Sequence, residues 1–363
     1  MKKWRKYFVL LFLFVCIIAL VGCARMRTVD KISIIHVFGF DQADNGELIG
    51  TALIPEYTKN KGGSQIQYLG ERAAASSLVI SKMATHTSTP VELAKVRVIL
   101  LGKSFAEKGV QDLAERFIIT PQVGTNIQIA VSTQSARETL NAFRKEKSLT
   151  LYERIEHNML EQNLPAMNLH VFLNHLYGEG MDAYVPMLTL DEKNTIKITG
   201  VGIFKNDNFK LHLNPEQSIL FAILKDYRSQ ATLKVDLGEQ DPSEAIIVRA
   251  FRSKSNWDWD QKKEQLNLSL DLEWTLVQHP DRFNLDKVED VLEIKKLIVE
   301  KLEKRIGDLL TTFKENEVDP VGIGNIVPSQ DRTWEKEAFY KKYPTLPINV
   351  NVNLDIIHSG LER

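Results

Sequence analysis

The sequence predicts an α+β fold of three domains, with mixed sheets flanked by helices, and three observations carry that prediction. Strand and helix signals alternate through residues 31–190, strand signals dominate from residue 195 onward, and one long amphipathic stretch, Leu285 to Asn316, places a single helix in the C-terminal domain. The chain divides accordingly into an export signal at 1–22, a short tether at 23–30, an N-terminal α/β region of two subdomains at 31–190, and a C-terminal α+β domain at 195–363. With 363 residues, 26% of them charged and 44% hydrophobic, the composition suits a globular body with a sizeable core.

The first residues set the location. Lys2, Lys3, Arg5 and Lys6 precede the apolar run Phe8 to Val21, which is shorter than the roughly 20 residues a bilayer core demands. Such a run reads as the apolar part of a signal peptide. Leu20-Val21-Gly22-Cys23 then resembles the bacterial lipobox, with a bulky apolar residue, a small one before the scissile bond and a cysteine to be lipidated. Cleavage is expected before Cys23, which takes S-diacylglycerol and an N-acyl chain. Two or three chains, at about 0.8 kcal/mol per buried methylene, tether a protein stably where one does not. Without the four signal cations the net charge moves from −1 to about −5, so no nucleic-acid partner is expected. The two cysteines, Cys16 and Cys23, leave no thiol in the body, which excludes disulfides and thiolate sites there and fits a Gram-positive exterior.

Taken in order, Ile32 to Phe40 reads as a buried strand with Leu48 to Ile54 as its hairpin partner, and Lys59 to Ser64 as a loop. Glu71 to Ala84 reads as a helix, Lys95 to Leu101 as a strand, and Ser104 with Glu107 as a capping box opening the next helix. Asn126 to Ser132 is a further strand, and Ser135 with Glu138 repeats the capping pattern. Leu149 to Tyr177 reads as two helices broken at Leu164-Pro165. Thr195 to Phe204 and Phe209 to Leu213 form a hairpin, and Pro215 opens a short helix at its first turn. Ala231 to Leu237, Ala245 to Arg252 and Leu266 to Val277 alternate as strands of one antiparallel sheet. The stripe Val291, Ile294, Ile298, Leu302, Ile306, Leu309 and Phe313 faces that sheet, with Glu300 and Lys304 as an exposed pair. Trp334 to Tyr343 is helical, and Ile348 to Ile357 is the final strand.

No stretch carries catalytic chemistry. The eight histidines have no metal-ligand spacing, His170 and His175 being five apart. Asn256 to Asp260 imitates the start of a calcium loop, but Gln261 and Asn267 occupy the glycine and glutamate positions, so the segment reads as a polar turn. Gly200-Val201-Gly202 and Gly322-Ile323-Gly324 lack the third glycine of a dinucleotide fingerprint and read as strand or turn glycines. Asp112 and Glu115 read as a solvated helix face. No catalytic residue, metal or cofactor is assigned, and the chain is not expected to be an enzyme.

Several stretches together resemble the Ger(x)C family, the lipoprotein C subunits of nutrient germinant receptors in spore-forming bacteria. They are the lipobox at Cys23; Asp30 and the strand ending Gly39-Phe40-Asp41; Ser81-Lys82 with His86 before Val96 to Gly102; Phe105 to Gly109; Asp182 to Pro186; and Ile198 to Lys205. At the end of the chain, Asp319 to Gly324, Trp334, Tyr343-Pro344 and Val350 to Ile357 running to Gly360 add to the likeness. Val29 stands where the family commonly has a tryptophan before Asp30. The resemblance implies a three-domain body without enzymatic activity. It also implies partnership with a polytopic A subunit and a transporter-like B subunit, on the outer face of the inner spore membrane or the cell membrane. A lipid-anchored solute-binding protein that delivers a small nutrient to a transporter is the second reading, and a surface-anchored hydrolase the third.

Overall fold

A computed structural model describes residues 32–56, 65–120, 124, 126–146, 150–161, 164–225, 231–237, 244–331 and 335–357, with the isolated positions Trp4 and Tyr7. The signal, Cys23 and the tether, the expected loop 59–64 and Trp334 lie outside the described residues. The architecture is the mixed α+β one expected, built on three sheets. β1 (Ser33–Ile34) pairs in parallel with β5 (Val91–Glu92). The largest sheet holds β2 (Val37–Gln42), β3 (Leu48–Glu56), β4 (Gln65–Ala73), β6 (Val98–Gly102), β7 (Gln128–Ser132), β8 (Tyr184–Leu190), β9 (Ile196–Lys205) and β10 (Asn208–Leu213), in the order β10-β9-β8-β7-β6-β2-β3-β4. The central strands β2, β6, β7 and β8 are parallel, and β6 and β7 are buried at every position. Helices on both faces account for that burial. α1 (Ser76–Met83), α2 (Lys103–Lys108), α3 (Gln111–Ile119) and α6 (Leu169–Tyr177) contribute to one core; α4 (Ala136–Phe143) and α5 (Leu151–Leu160) build the other.

Local signals and tertiary pairing disagree in three places. The strand expected over Ile32 to Phe40 is broken at Ile35-His36, where the His36 carbonyl accepts from the amides of Arg97 and Val98 and the chain changes partner from β5 to β6. The helix expected from Glu71 begins only at Ser76, because β4 pairs with β3 over its full length and overrides the helix preference of Glu71 to Ala73. Ser104 caps nothing: β6 runs directly into α2, whose cap position is Gly102. Ser135 does cap α4, its Oγ accepting from the Glu138 amide at 3.1 Å. The interval 190–195, expected between the two large regions, is the turn between β8 and β9, antiparallel neighbours in one sheet.

The smaller sheet has the order β11-β12-β13-β14, from β11 (Thr232–Asp236), β12 (Ala245–Asp260), β13 (Gln265–Gln278) and β14 (Ile348–Ile357). The first three strands are antiparallel as expected; β14 joins β13 in parallel. Asn256 to Asp260, read as a polar turn, is the end of β12 instead, paired residue by residue with β13. α7 (Pro215–Leu224) starts with Pro215 at its first turn under a full capping box from Asn214 and Gln217. α8 (Val288–Glu315) lies on the sheet through Ile294, Ile298, Leu302, Ile306, Leu309 and Phe313, so its stripe serves its own core. Glu300 pairs with Lys296 at 3.8 Å and not with Lys304. α9 (Ile323–Gln330) was not expected, since Gly322 and Gly324 read as turn glycines and Pro328 lies inside the helix. α10 (Lys336–Lys342) precedes β14.

Gly39-Phe40-Asp41 marks where α4 meets the large sheet. Asp41 is buried, and its carboxylate accepts from the amides of Ala136 at 2.7 Å and Arg137 at 2.8 Å, capping the first turn of α4. A Cβ on Gly39 would stand 2.8 Å from Leu140 Cδ1, and one on Gly102 would stand 2.0 Å from Asp41 Oδ1. Asp41→Ala is expected to cost about 1–2 kcal/mol, read as a lowered midpoint in urea unfolding with an unchanged slope.

Candidate functional site

The two large sheets are joined where the segment entering β8 meets the segment leaving α8. Gly178 to Ala183 comes from the first side, and Val318 to Gly324 from the second. The Asp182 amide donates to the Asp319 carbonyl at 2.9 Å, and the Asp319 amide donates to Asp182 Oδ2 at 2.6 Å. This reciprocal pair spans 137 positions of sequence.

Asp319 is fully buried, and its carboxylate is the hub of the joint. Oδ1 accepts from the amides of Gly322 at 2.9 Å and Ile323 at 2.8 Å; Oδ2 accepts from Gly324 at 2.7 Å and from the Tyr340 hydroxyl at 3.4 Å. It thereby satisfies the first turn of α9, whose amides have no partner within the helix. Asp182 is held by Lys205 Nζ at 3.2 Å, and that ammonium lies 5.2 Å from the centroid of the Tyr340 ring. Tyr343 donates to the Val318 carbonyl at 2.8 Å, Lys225 reaches the Val321 carbonyl at 3.4 Å, and Lys336 pairs with Glu179 at 2.9 Å. Below the polar layer, Tyr184, Phe221 and Phe313 stack edge to face and carry the core from β8 through α7 to α8.

Backbone fit makes the joint unforgiving. Gly322 has φ +90°, a conformation favouring glycine, and a Cβ there would lie 2.4 Å from Met181 Cε. A Cβ on Gly324 would lie 2.1 Å from the Tyr340 hydroxyl and 2.9 Å from Gly180 Cα, so the two segments touch backbone to backbone.

Burial raises the Asp319 carboxyl to about 6 and the nearby Asp182 charge adds to the rise, while the three amides oppose it. Asp182 is also raised by burial, against the pull of Lys205. Burial, then the charges of Asp319 and Asp182, push both Tyr340 and Tyr343 upward. Between the unfolded value of 3.8 and about 6, the folded chain holds a proton on Asp319 that the unfolded chain has released. Stability from this group therefore falls as pH rises through 6 and returns as pH drops. Thermal midpoints at pH 5 and pH 7.5 are expected to show an acid-side gain in the wild type that Asp319→Asn lacks; parallel pH profiles would mean that Asp319 stays ionised throughout.

Most stretches singled out in the sequence have a definite place. Asp182, Lys205, Asp319 to Gly324 and Tyr343 meet in this joint. Gly39 to Asp41 and Gly102 form the separate contact under α4. Lys82 donates to the Arg72 carbonyl and His86 pairs with Glu71, fastening α1 to β4. Asp112 and Glu115 lie exposed on α3. Sequence reasoning missed Tyr340 and the Glu179–Lys336 pair, which no local pattern marks.

A groove of about 810 Å³ opens elsewhere, beside the β2–β3 turn. α2 touches both β2 and β10, so the large sheet curls, and Asp207 in the β9–β10 turn accepts from the Gln111 amide at 3.3 Å. Gln42, Lys108, Asp112, Arg116 and Asp207 line the groove above Leu48 and Phe105.

The fold and the joint define an α+β protein whose two larger sheets are tied together by motif residues, and both halves of the chain match known families. Residues 25–190 match the spore germination protein N-terminal domain, and residues 199–360 match the spore germination B3/GerAC-like C-terminal family. The chain belongs to the GerAC-like family of spore germination proteins. It is 26% identical over 366 residues to spore germination protein GerQC of Bacillus cereus, covering 99% of each chain. It is 20% identical over 402 residues to spore germination protein KC of Bacillus subtilis (strain 168), covering 99% of this chain and 97% of that one. The crystal structure of the GerBC protein superposes with a TM-score of 0.60 at 14% identity, over 88% of this chain and 96% of that one, a likeness of fold.

Proposed function

We propose that the chain is a non-catalytic, lipid-anchored subunit of a spore nutrient germinant receptor, exported by residues 1–22 and tethered through Cys23. It stands on the outer face of the inner spore membrane or the cell membrane, beside a polytopic A subunit and a transporter-like B subunit. Its work there is receptor assembly or signal coupling, with the tether raising its local concentration beside those partners. The observation that carries this reading is the family match over both halves of the chain. The joint supports it further, because the reciprocal Asp182–Asp319 pair ties the two halves into one body, as coupling between partners would require. Crosslinking in purified spore membranes is the test. Adducts with an A-type and a B-type subunit are expected; their absence under conditions where those two crosslink to each other would contradict the reading.

The groove beside the β2–β3 turn favours the second reading, direct binding of a small solute, because it is roomy and lined by both signs of charge. Titration calorimetry of the chain from Ala24 with nutrient solutes decides it, and no heat across millimolar ligand removes that reading.

A further inference from the structure

The smaller sheet ends in an open strand. β14 spans ten residues at the edge of the sheet, and the register with β13 turns the amides and carbonyls of its odd positions inward, as the Leu266 amide bonded to the Pro347 carbonyl shows. The polar groups of Ile348, Val350, Val352, Leu354 and Ile356 therefore point outward. One of them is occupied: the Val352 amide donates to Glu303 Oε1 at 3.0 Å. Among the described residues, no other group bonds to this outer edge. Long exposed edges are templates for pairing with another chain.

The flank of α8 beside that edge is shaped to receive side chains. Lys295 reaches Asp355 at 3.4 Å and Glu303 reaches Val352, which fixes the helix face that borders β14. Val288, Leu292 and Val299 continue the same face at steps of four, three, four and four residues with those two. Val288 is 68% exposed and Leu292 59% exposed, while Val299 is half-buried. On the solvent side of the sheet the neighbours are polar: Asn351, Asn353 and Asp355, with Asp271 held by the amides of Asn256 and Asn353.

We propose that the outer edge of β14 is a strand-addition site for an extended segment of another protein, with apolar side chains toward the α8 flank, polar ones toward solvent, and a basic residue at the rung now held by Glu303. Main-chain pairing supplies affinity in such sites, and the alternating side chains supply selection. A second copy of this chain is the wrong occupant on charge. Val352 lies at the middle of β14, so two-fold self-pairing would bring two Glu303 carboxylates together at the axis, where like charges oppose association. A lysine or arginine at that rung would meet Glu303, the carboxylate that borders the edge. The site goes beyond the receptor role and does not depend on the lipid.

The probe is a fluorescein-labelled synthetic peptide of alternating threonine and valine with one central lysine, titrated into the full chain by anisotropy. Saturable binding is expected, and a peptide with central glutamate should bind at least tenfold more weakly. On Glu303→Gln the two peptides should converge. Val350→Pro and Ile356→Pro remove only outward amides, so they should keep the fold by circular dichroism and weaken binding at least tenfold. In the wild type, hydrogen exchange at Val350, Leu354 and Ile356 should slow at least tenfold with peptide. Absence of binding at millimolar peptide, equal binding by the proline variants, unchanged exchange, or a dimer that the proline variants abolish would each overturn the proposal.

Discussion

Asp319→Ala is expected to lower the stability of the folded chain by about 3–5 kcal/mol. The carboxylate accepts from three amides and a tyrosine hydroxyl, and its removal leaves the first turn of α9 without acceptors in a site closed to water. Relief of the like-charge repulsion with Asp182 offsets part of this loss. Against a total of about 5–15 kcal/mol this is a large share, and the thermal midpoint should fall by on the order of 10 °C. Asp319→Asn keeps the volume and one acceptor oxygen but turns an amide group toward the backbone donors, so an intermediate loss is expected. Asp112→Ala, on the exposed face of α3, should stay within about 0.5 kcal/mol of wild type. Scanning calorimetry separates the three, and an Asp319→Ala midpoint equal to that of Asp112→Ala would mean that the joint contributes nothing.

What could be read ahead of the structure follows from the range of the forces involved. The β9–β10 hairpin, the start of α7 at Pro215, the stripe of α8 and the alternation of β14 were legible because each is written in neighbouring residues. β4 was not, since an alanine-rich stretch carries helix preference while its nine-residue pairing with β3 decides the outcome. α9 was hidden because Gly322 adopts a positive φ and Pro328 sits inside the helix. Most of the residues of the joint were noticed in the sequence, yet their meeting was not. Asp182 and Asp319 stand 137 positions apart, and no spacing rule pairs them.

Cys23→Ala carries the largest functional effect. Cys23 is the one residue the sequence assigns to membrane attachment, and the proposed receptor role needs the body beside two membrane-embedded partners. On the proposed lipidation, the change would remove every acyl chain at once, and with each buried methylene worth about 0.8 kcal/mol that is the loss of the whole lipid contribution to anchoring. The protein should fold with an unchanged thermal midpoint, because the cores begin at Ile35 and Val37 and the joint is built from residues beyond 177. It should lose incorporation of radiolabelled palmitate and move from the membrane pellet to the soluble fraction of broken spores. Retention in the pellet without label would instead point to an uncleaved signal anchor.

In the proposed role this chain acts in nutrient-triggered germination from the membrane surface. The most direct measurement is dipicolinic acid release from spores whose only copy carries Cys23→Ala, triggered by the cognate nutrient and compared with a non-nutrient trigger that bypasses the receptor. A strongly delayed or absent nutrient response is expected, with a normal response to the bypass trigger. A nutrient response equal to wild type would contradict the role.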